Sequence, residues 1–310
     1  MKRRQQGVAL IMVIMVVAVI TIAVAELVSR QQVDIRRAGN LFDQDRAYLL
    51  ALAGEDVARG WLVRDIEQNT VDNLNEVEVS RIPRTPFEGG FISGWAEDMQ
   101  GRFNLNNLLA ADGSVDPLAR KRFGRLLRLV GLDLSAVDAV IDWMDKNSDE
   151  LPDGAEDSYY SGQGYSAANR LFTSPSELAL VKGIGFKGYQ ALAPYVSALP
   201  ERTAINVNTA PDLVLAALVE GFSKEDGEEL VQARDPEPPN EGFSSLDDFI
   251  VLSKLAGTDI VETDLDIASS YFLVTVNTEW GRARAQLYSL LKRDAAKKTV
   301  VSVMRGQGAY

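Results

Sequence analysis

The sequence predicts an α+β protein: a long N-terminal α-helix packed on a small antiparallel sheet, with a large all-helical domain inserted between the strands. Three observations carry this. Apolar residues recur at helical spacing from Val8 to about Arg64, and no proline occurs before Pro83. Strand-like material occupies 77–108 and returns at 269–304. The stretch between reads as a series of short, capped helices.

The first element opens with MKRRQQG, placing Lys2, Arg3 and Arg4 ahead of Gly7. From Val8 to Ala25 there are 18 residues without a charge, enough for about 27 Å of helix and so for a membrane span. Three fates compete: a removed secretory signal with an A-x-A-like site at Ala23–Ala25, an uncut anchor, or a helix kept after a cut in front of it. The apolar pattern continues through Leu41, Phe42, Tyr48, Leu49, Leu52, Val57, Trp61 and Leu62. Gly39, Gly54 and Gly60 weaken the helix without breaking it. A rod from Val8 to Arg64 measures roughly 85 Å at the helical rise. Its smooth continuation favours the retained helix.

After the rod, VEVSRIP (77–83) and FISGWAEDMQGRFNLNNLL have strand character, with a break at Met99–Gly101 and alternation through Phe103, Leu105 and Leu108. The simple expectation is a hairpin across that break. Then come DPLARKRFGRLLRLVG (116–131), LSAVDAVIDWM, and SPSELALVKGIG with Ser174 as cap, Pro175 at the first position and Glu177 closing a capping box. NTAPDLVLAALVEG repeats this scheme with Thr209 and Pro211. The polar loop DPEPPNEG (235–242) precedes a last short helix in SSLDDFIVLSKL. SYFLVTVNTEW, a turn at Gly281, ARAQLYSLLKR and TVVSVMRG complete the sheet.

Composition narrows the chemistry. The chain has no cysteine and no histidine, which excludes thiol catalysis, disulfides, Cys/His zinc sites and imidazole proton shuttles. Its net charge of −12 works against wholesale nucleic-acid binding. The most specific local signal lies between Asp138 and Asp157: eight acids with one base, Lys146. Counting from Asp145, residues Asn147, Asp149, Asp153 and Glu156 fall at EF-hand ligand spacing. Glu150 stands where that hand needs glycine, and Pro152 follows. Hard oxygen donors on a loop favour Ca²⁺. The predicted ligands are Asp142, Asp145, Asn147, Asp149, Glu156 and Asp157, in a structural role, set against a plain solvated acidic loop.

A second signal is the helix-hairpin-helix look of LALVKGIGFKGYQALAPYV, with Gly183-Ile184-Gly185 between two helices. Such turns offer backbone N–H groups to phosphate. The acids from Glu220 to Asp235 repel DNA, and a helix-packing module is the expected use. The five bases of 116–131 (Arg120, Lys121, Arg122, Arg125, Arg128) read as a solvated helical face. Two other functions compete: a DNA-binding or DNA-uptake tip protein, and a secreted carboxylate hydrolase.

A basic leader, a glycine and an uncharged helix running into an amphipathic one resemble the N-terminus of type IV pilins and type II secretion pseudopilins. Together with GRFNLNNLL, IDWMDKNSDELPDGAEDSYY, AANRLFTSPSELALVKGIG and INVNTAPDLVLAAL, they are similar over nearly the whole chain to the minor pseudopilin K (GspK) family. Most pilins carry Glu fifth in the mature chain; here Met12 stands there, a departure shared with that branch. The resemblance implies a pilin-like body, no enzymatic activity and a tip position in the pseudopilus. It also implies prepilin-peptidase cleavage between Gly7 and Val8, methylation of Val8, and calcium in the helical domain. Implied partners are the minor pseudopilins I and J. The implied location is the inner membrane, single-pass, with the globular part in the periplasm. The expected division is a leader 1–7, a membrane span 8–25, the remaining helix and first strands 26–112, the inserted helical domain 113–265 and the returning strands 266–310.

Overall fold

The structure is a computed structural model that describes residues 5–68, 70–79, 81–235 and 241–308. Residues 1–4 of the expected leader and most of the polar loop 235–242 lie outside the described residues.

The rod is one helix, α1 (Gln5–Gln68), and every residue from Val8 to Phe42 is exposed. Its apolar N-terminal part reaches a mean hydropathy of 3.2 over an 18-residue window, sufficient in length and composition to cross a bilayer. A short helix α2 (Leu74–Val79) follows, so the start of the expected strand region, 77–79, is helical. Strands β1 (Ile82–Phe87) and β2 (Gly90–Asp98) form a hairpin about Glu88-Gly89.

The hairpin expected across Met99–Gly101 is absent. Beyond Gly101, β3 (Phe103–Asn104) pairs in parallel with β4 (Val196–Ser197), and Leu105–Leu108 is a 3₁₀ turn. The physical reason is in the asparagines, which sequence alternation assigned to solvent. Asn104, Asn106 and Asn107 are buried. Asn106 donates to the carbonyls of Phe172 and Leu199 and accepts from the Phe172 N–H. Buried amide side chains with partners replace a strand ladder here.

The helical domain continues with α3 (Pro117–Leu129), α4 (Ala136–Met144), α5 (Asp157–Tyr160), a 3₁₀ segment Pro175–Leu180, and α6 (Gly185–Leu192). After β4 come β5 (Ile205–Asn206), α7 (Asp212–Ala217), α8 (Lys224–Arg234) and α9 (Leu246–Ile250). Asp116 caps α3, and Ser174 with Glu177 forms the expected capping box. Thr209 does not cap α7; its hydroxyl donates to Asp98 at 2.5 Å. The short β6 (Leu265–Asp266) pairs in parallel with β5 and leads back to the sheet.

The sheet is finished by β7 (Tyr271–Trp280), β8 (Ala283–Asp294) and β9 (Thr299–Gln307). Its order is β1-β2-β7-β8-β9, antiparallel throughout. The C-terminal half of α1 lies on one face, packing Ala51 and Ala58 against Val274, Val276, Leu287 and Leu291. At Gly54 an added Cβ would sit 2.7 Å from Val276 Cγ1, so a residue that weakens the helix permits close contact with the sheet. On the other face, Tyr271, Leu273 and Leu290 pack with Met99 and Leu199 of the inserted domain.

The direction of α1 places the insert. Asp43 meets the β7–β8 turn at Gly281, and the Ala47 carbonyl accepts from Thr278 Oγ1. Eighteen residues later, Asp65 meets Arg293 at the opposite end of β8. The chain enters the helical domain after Asp98 and leaves it before Tyr271 at that second end. The insert therefore sits on the end of the sheet remote from the apolar part of α1.

Candidate functional site

The acidic loop begins where α4 ends. Asp142 is wholly buried in the last turn, and its Oδ2 accepts from the N–H groups of Leu151 (3.1 Å) and Ala155 (2.9 Å). The loop thus folds back over its own helix. Gly154 makes this possible, because an added Cβ would lie 1.8 Å from Asp142 Oδ2. Asp145 is 7% exposed and accepts from the Asn147 N–H; Asn147 in turn accepts from that of Asp149. Asn147 and Asp149 lie on the exposed limb. Glu150 has no positive φ, so the loop is not an EF-hand turn.

Glu156 closes the site. It is 4% exposed, and both of its carboxylate oxygens are buried without a hydrogen-bond partner. An orphaned buried carboxylate is costly unless a cation or proton answers it. Burial first, then the nearby Asp142, Asp145, Asp157 and Glu150, push Glu156 up to about 7. Burial and its acidic neighbours also raise Asp142 to about 6 and raise Asp145. Among the described residues, the ion pair on α4 lies at its opposite end, from Arg120 to Asp138 in the first turn, at 2.5 Å. The geometry thus brings Asp142, Asp145 and Glu156 together and leaves Asn147 and Asp149 at the rim. Asp157 accepts from the Ala167 N–H at 2.8 Å.

Sequence reading missed Asn169. Its φ is +47°, its N–H donates to the Trp143 carbonyl, and its Oδ1 is buried without a partner. The available signal was its residue type, since asparagine tolerates the left-handed region. Lys182 lies beside the Gly183–Gly185 turn. Its Nζ donates to the Gly154 carbonyl at 2.7 Å and lies over the Tyr159 ring. The Gly183–Gly185 turn is therefore tied to the acidic loop, which takes the Lys182 ammonium away from DNA contact.

The basic helix α3 is solvated on one side only: Arg120, Lys121 and Arg128 are exposed, as expected, but the other two bases are not. Arg122 and Arg125 are 2% and 6% exposed. Arg125 reaches Glu220, Asp259 and the Leu218 carbonyl, and Arg122 reaches the Val261 carbonyl. These bases bind the domain to itself.

The long exposed apolar helix, the antiparallel sheet and the inserted helical domain define a pilin-like subunit with a membrane-anchor-type N-terminus. Residues 101–201 and 205–268 match family models described as "Type II secretion system (T2SS), protein K". The chain is 40% identical to the type II secretion system protein K of Pseudomonas aeruginosa, over 99% of this chain and 95% of that one. It is 32% identical to that of Aeromonas hydrophila, over 96% of each. The chain belongs to the type II secretion system protein K family. Its fold matches a chain in the crystal structure of the GspK-GspI-GspJ complex from enterotoxigenic Escherichia coli, with a TM-score of 0.77 and 24% identity, over 88% of this chain and 100% of that one.

Proposed function

We propose that the chain is a minor pseudopilin that caps the tip of the type II secretion pseudopilus and has no catalytic role. The observation that carries this reading is the placement of the insert. Subunits of a pilin-like filament pack through their N-terminal helices, and here a bulky domain occupies the end of the body remote from the apolar segment. A further subunit stacked above would collide with it. On this reading the leader is removed between Gly7 and Val8 by the prepilin peptidase, Val8 is methylated, and Val8–Ala25 holds the chain in the inner membrane. The body then lies in the periplasm, and the partners are minor pseudopilins of the I and J types.

Expression of the full chain beside the peptidase, followed by intact mass and N-terminal sequencing, tests this. A chain starting at Val8 with an added methyl supports the assignment. A chain starting at Glu26 would mean an exported soluble protein and would overturn it.

The acidic loop is proposed to hold structural Ca²⁺. Asp142, Asp145 and Glu156 would supply buried carboxylates, with Asn147, Asp149 and Asp157 at the rim. The partnerless oxygens of Glu156 support the fit. A bound cation would neutralise the loop and pin it to α4. Trp143, stacked edge-on against Tyr160 at 5.0 Å, reports on it: added Ca²⁺ should change tryptophan fluorescence and raise the Tm. Asp149→Ala with Glu156→Ala should abolish both effects. Identical melting curves with calcium and with chelator would refute the site.

A further inference from the structure

The exposed side of α3 borders a groove that the proposed function does not use, with a volume of about 570 Å³. Lys121, Gly124 and Arg128 follow one another along α3 at helical spacing and form one wall. Leu134 and Val137, from the α3–α4 connection and α4, form the facing wall. Glu220 borders the groove beside Arg125 and Arg128.

The cations of this groove are not all used within the chain. Arg125 is buried and takes Glu220 and Asp259, and Arg120 takes Asp138. Arg128 reaches only that same Glu220, at 3.9 Å, while among the described residues Lys121 makes no ion pair. Both are exposed, and they stand two helical turns apart, about 10.5 Å. Between them Gly124 leaves a gap. No positive φ requires glycine there. An added Cβ would meet Leu134 and Val137 at 3.7 Å, an ordinary contact. Neither backbone nor close packing therefore calls for a residue that weakens the helix. Its effect is to bare the apolar wall, where Leu134 stays 54% exposed. In a chain of net charge −12, two unanswered cations astride an apolar gap are a local exception.

We propose that this groove is a docking site for an acidic segment of a partner protein. The segment is extended, sets two carboxylates on Lys121 and Arg128, and lays an apolar side chain between them over Gly124. An extended chain rises about 3.3 Å per residue, so the two acids stand about three positions apart. Nucleic acid fits less well, since its phosphates would meet Glu220 and a chain that is negative overall. An anionic bilayer is out of reach, because the insert sits on the end of the sheet remote from the apolar part of α1. The site stands on the geometry of the insert and does not depend on the place of the subunit in a filament.

The test is fluorescence anisotropy of a labelled peptide added to the full chain in detergent. The peptide places two glutamates on either side of a leucine-valine pair; a second peptide carries glutamine at both ends instead. The acidic peptide should bind saturably below about 1 mM, at least about tenfold more tightly than the glutamine peptide, and more weakly as salt rises. Lys121→Glu with Arg128→Glu turns two attractions into repulsions and should lower the affinity at least about tenfold. Gly124→Leu, which fills the groove and leaves the charge unchanged, should do the same. Arg282→Glu with Arg284→Glu makes the same charge change on exposed residues of the β7–β8 hairpin and should leave the affinity within about twofold. Absence of saturable binding, equal losses in the two charge-reversed pairs, or undiminished binding in folded Gly124→Leu would overturn the proposal. So would a single-stranded oligonucleotide that binds the same groove more tightly than the peptide. Should Gly124→Leu fail to fold, the contrast between the two charge-reversed pairs decides.

Discussion

Glu55 shows how one residue couples the rod to the body. It is 1% exposed, accepts from Ser289 Oγ at 2.6 Å and from Arg305 at 2.7 Å, and is paired with Arg59. Burial alone would raise its pKa; the donors and charges of Arg305, Ser289 and Arg59 outweigh burial and hold it below the ordinary 4.5. A depressed carboxylate contributes stability above its unfolded value and loses it as pH falls through the folded value. Glu55→Gln should therefore cost about 2 kcal/mol at pH 7, and much less in acid below pH ~4, which parallel denaturant titrations at the two pH values would show. Gly154→Ala makes the corresponding test at the acidic loop. A Cβ 1.8 Å from Asp142 Oδ2 should cost about 2–3 kcal/mol and weaken the proposed calcium binding in a fluorescence titration. At this scale the sequence was legible where charge density carried the signal, as at Asp142, Asp145 and Glu156. It was silent where the signal is a close approach or an orphaned atom, as at Gly154 and Asn169, because those depend on what faces the residue in space.

Elements with a strong period were legible, and those held by side-chain amides were not. The helix α1 and strands β7, β8 and β9 fall within a few residues of their expected bounds, because long apolar periodicity dominates their energetics. The segment 103–108 was misread because its alternating asparagines mimic a solvated strand face while being buried hydrogen-bonding groups. In α3 the bases Arg122 and Arg125 were misread for a related reason: in sequence a base that binds carbonyls inside a domain looks the same as one in water. Its prediction follows from the contacts. Arg125→Ala would remove the links to Glu220, Asp259 and the Leu218 carbonyl. It should destabilise the domain by about 2–3 kcal/mol, whereas Lys121→Ala on the exposed side of the same helix should change it by less than about 0.5 kcal/mol. Chemical denaturation of the two variants side by side checks the contrast.

For the whole molecule, the issue is whether sheet and insert behave as one body. Two chain crossings join them, after Asp98 and before Tyr271, and both pass through the same buried group. The Asp98 carboxylate binds Thr209 and Asn206 of the insert and Ser269 at the start of the returning strand, while the Asn206 N–H donates to the Gln100 carbonyl. Apolar contact across the seam is slight by comparison, resting on Met99 and Leu199 with Tyr271, Leu273 and Leu290. A seam held mainly by one satisfied polar network is cooperative only while that network is complete. Asp98→Ala leaves a hydroxyl pair, an amide and a backbone N–H without their acceptor, at a cost of about 3–5 kcal/mol concentrated at the seam. The larger apolar core of the insert and the α1–sheet core are untouched by it. Calorimetry of the full chain in added calcium should therefore turn from one transition in the wild type to two in the variant, and the proposed calcium site would make the insert's transition the calcium-dependent one. A single transition merely shifted to lower temperature would mean that the lobes are coupled through their apolar contact, and that the polar network adds stability without setting cooperativity.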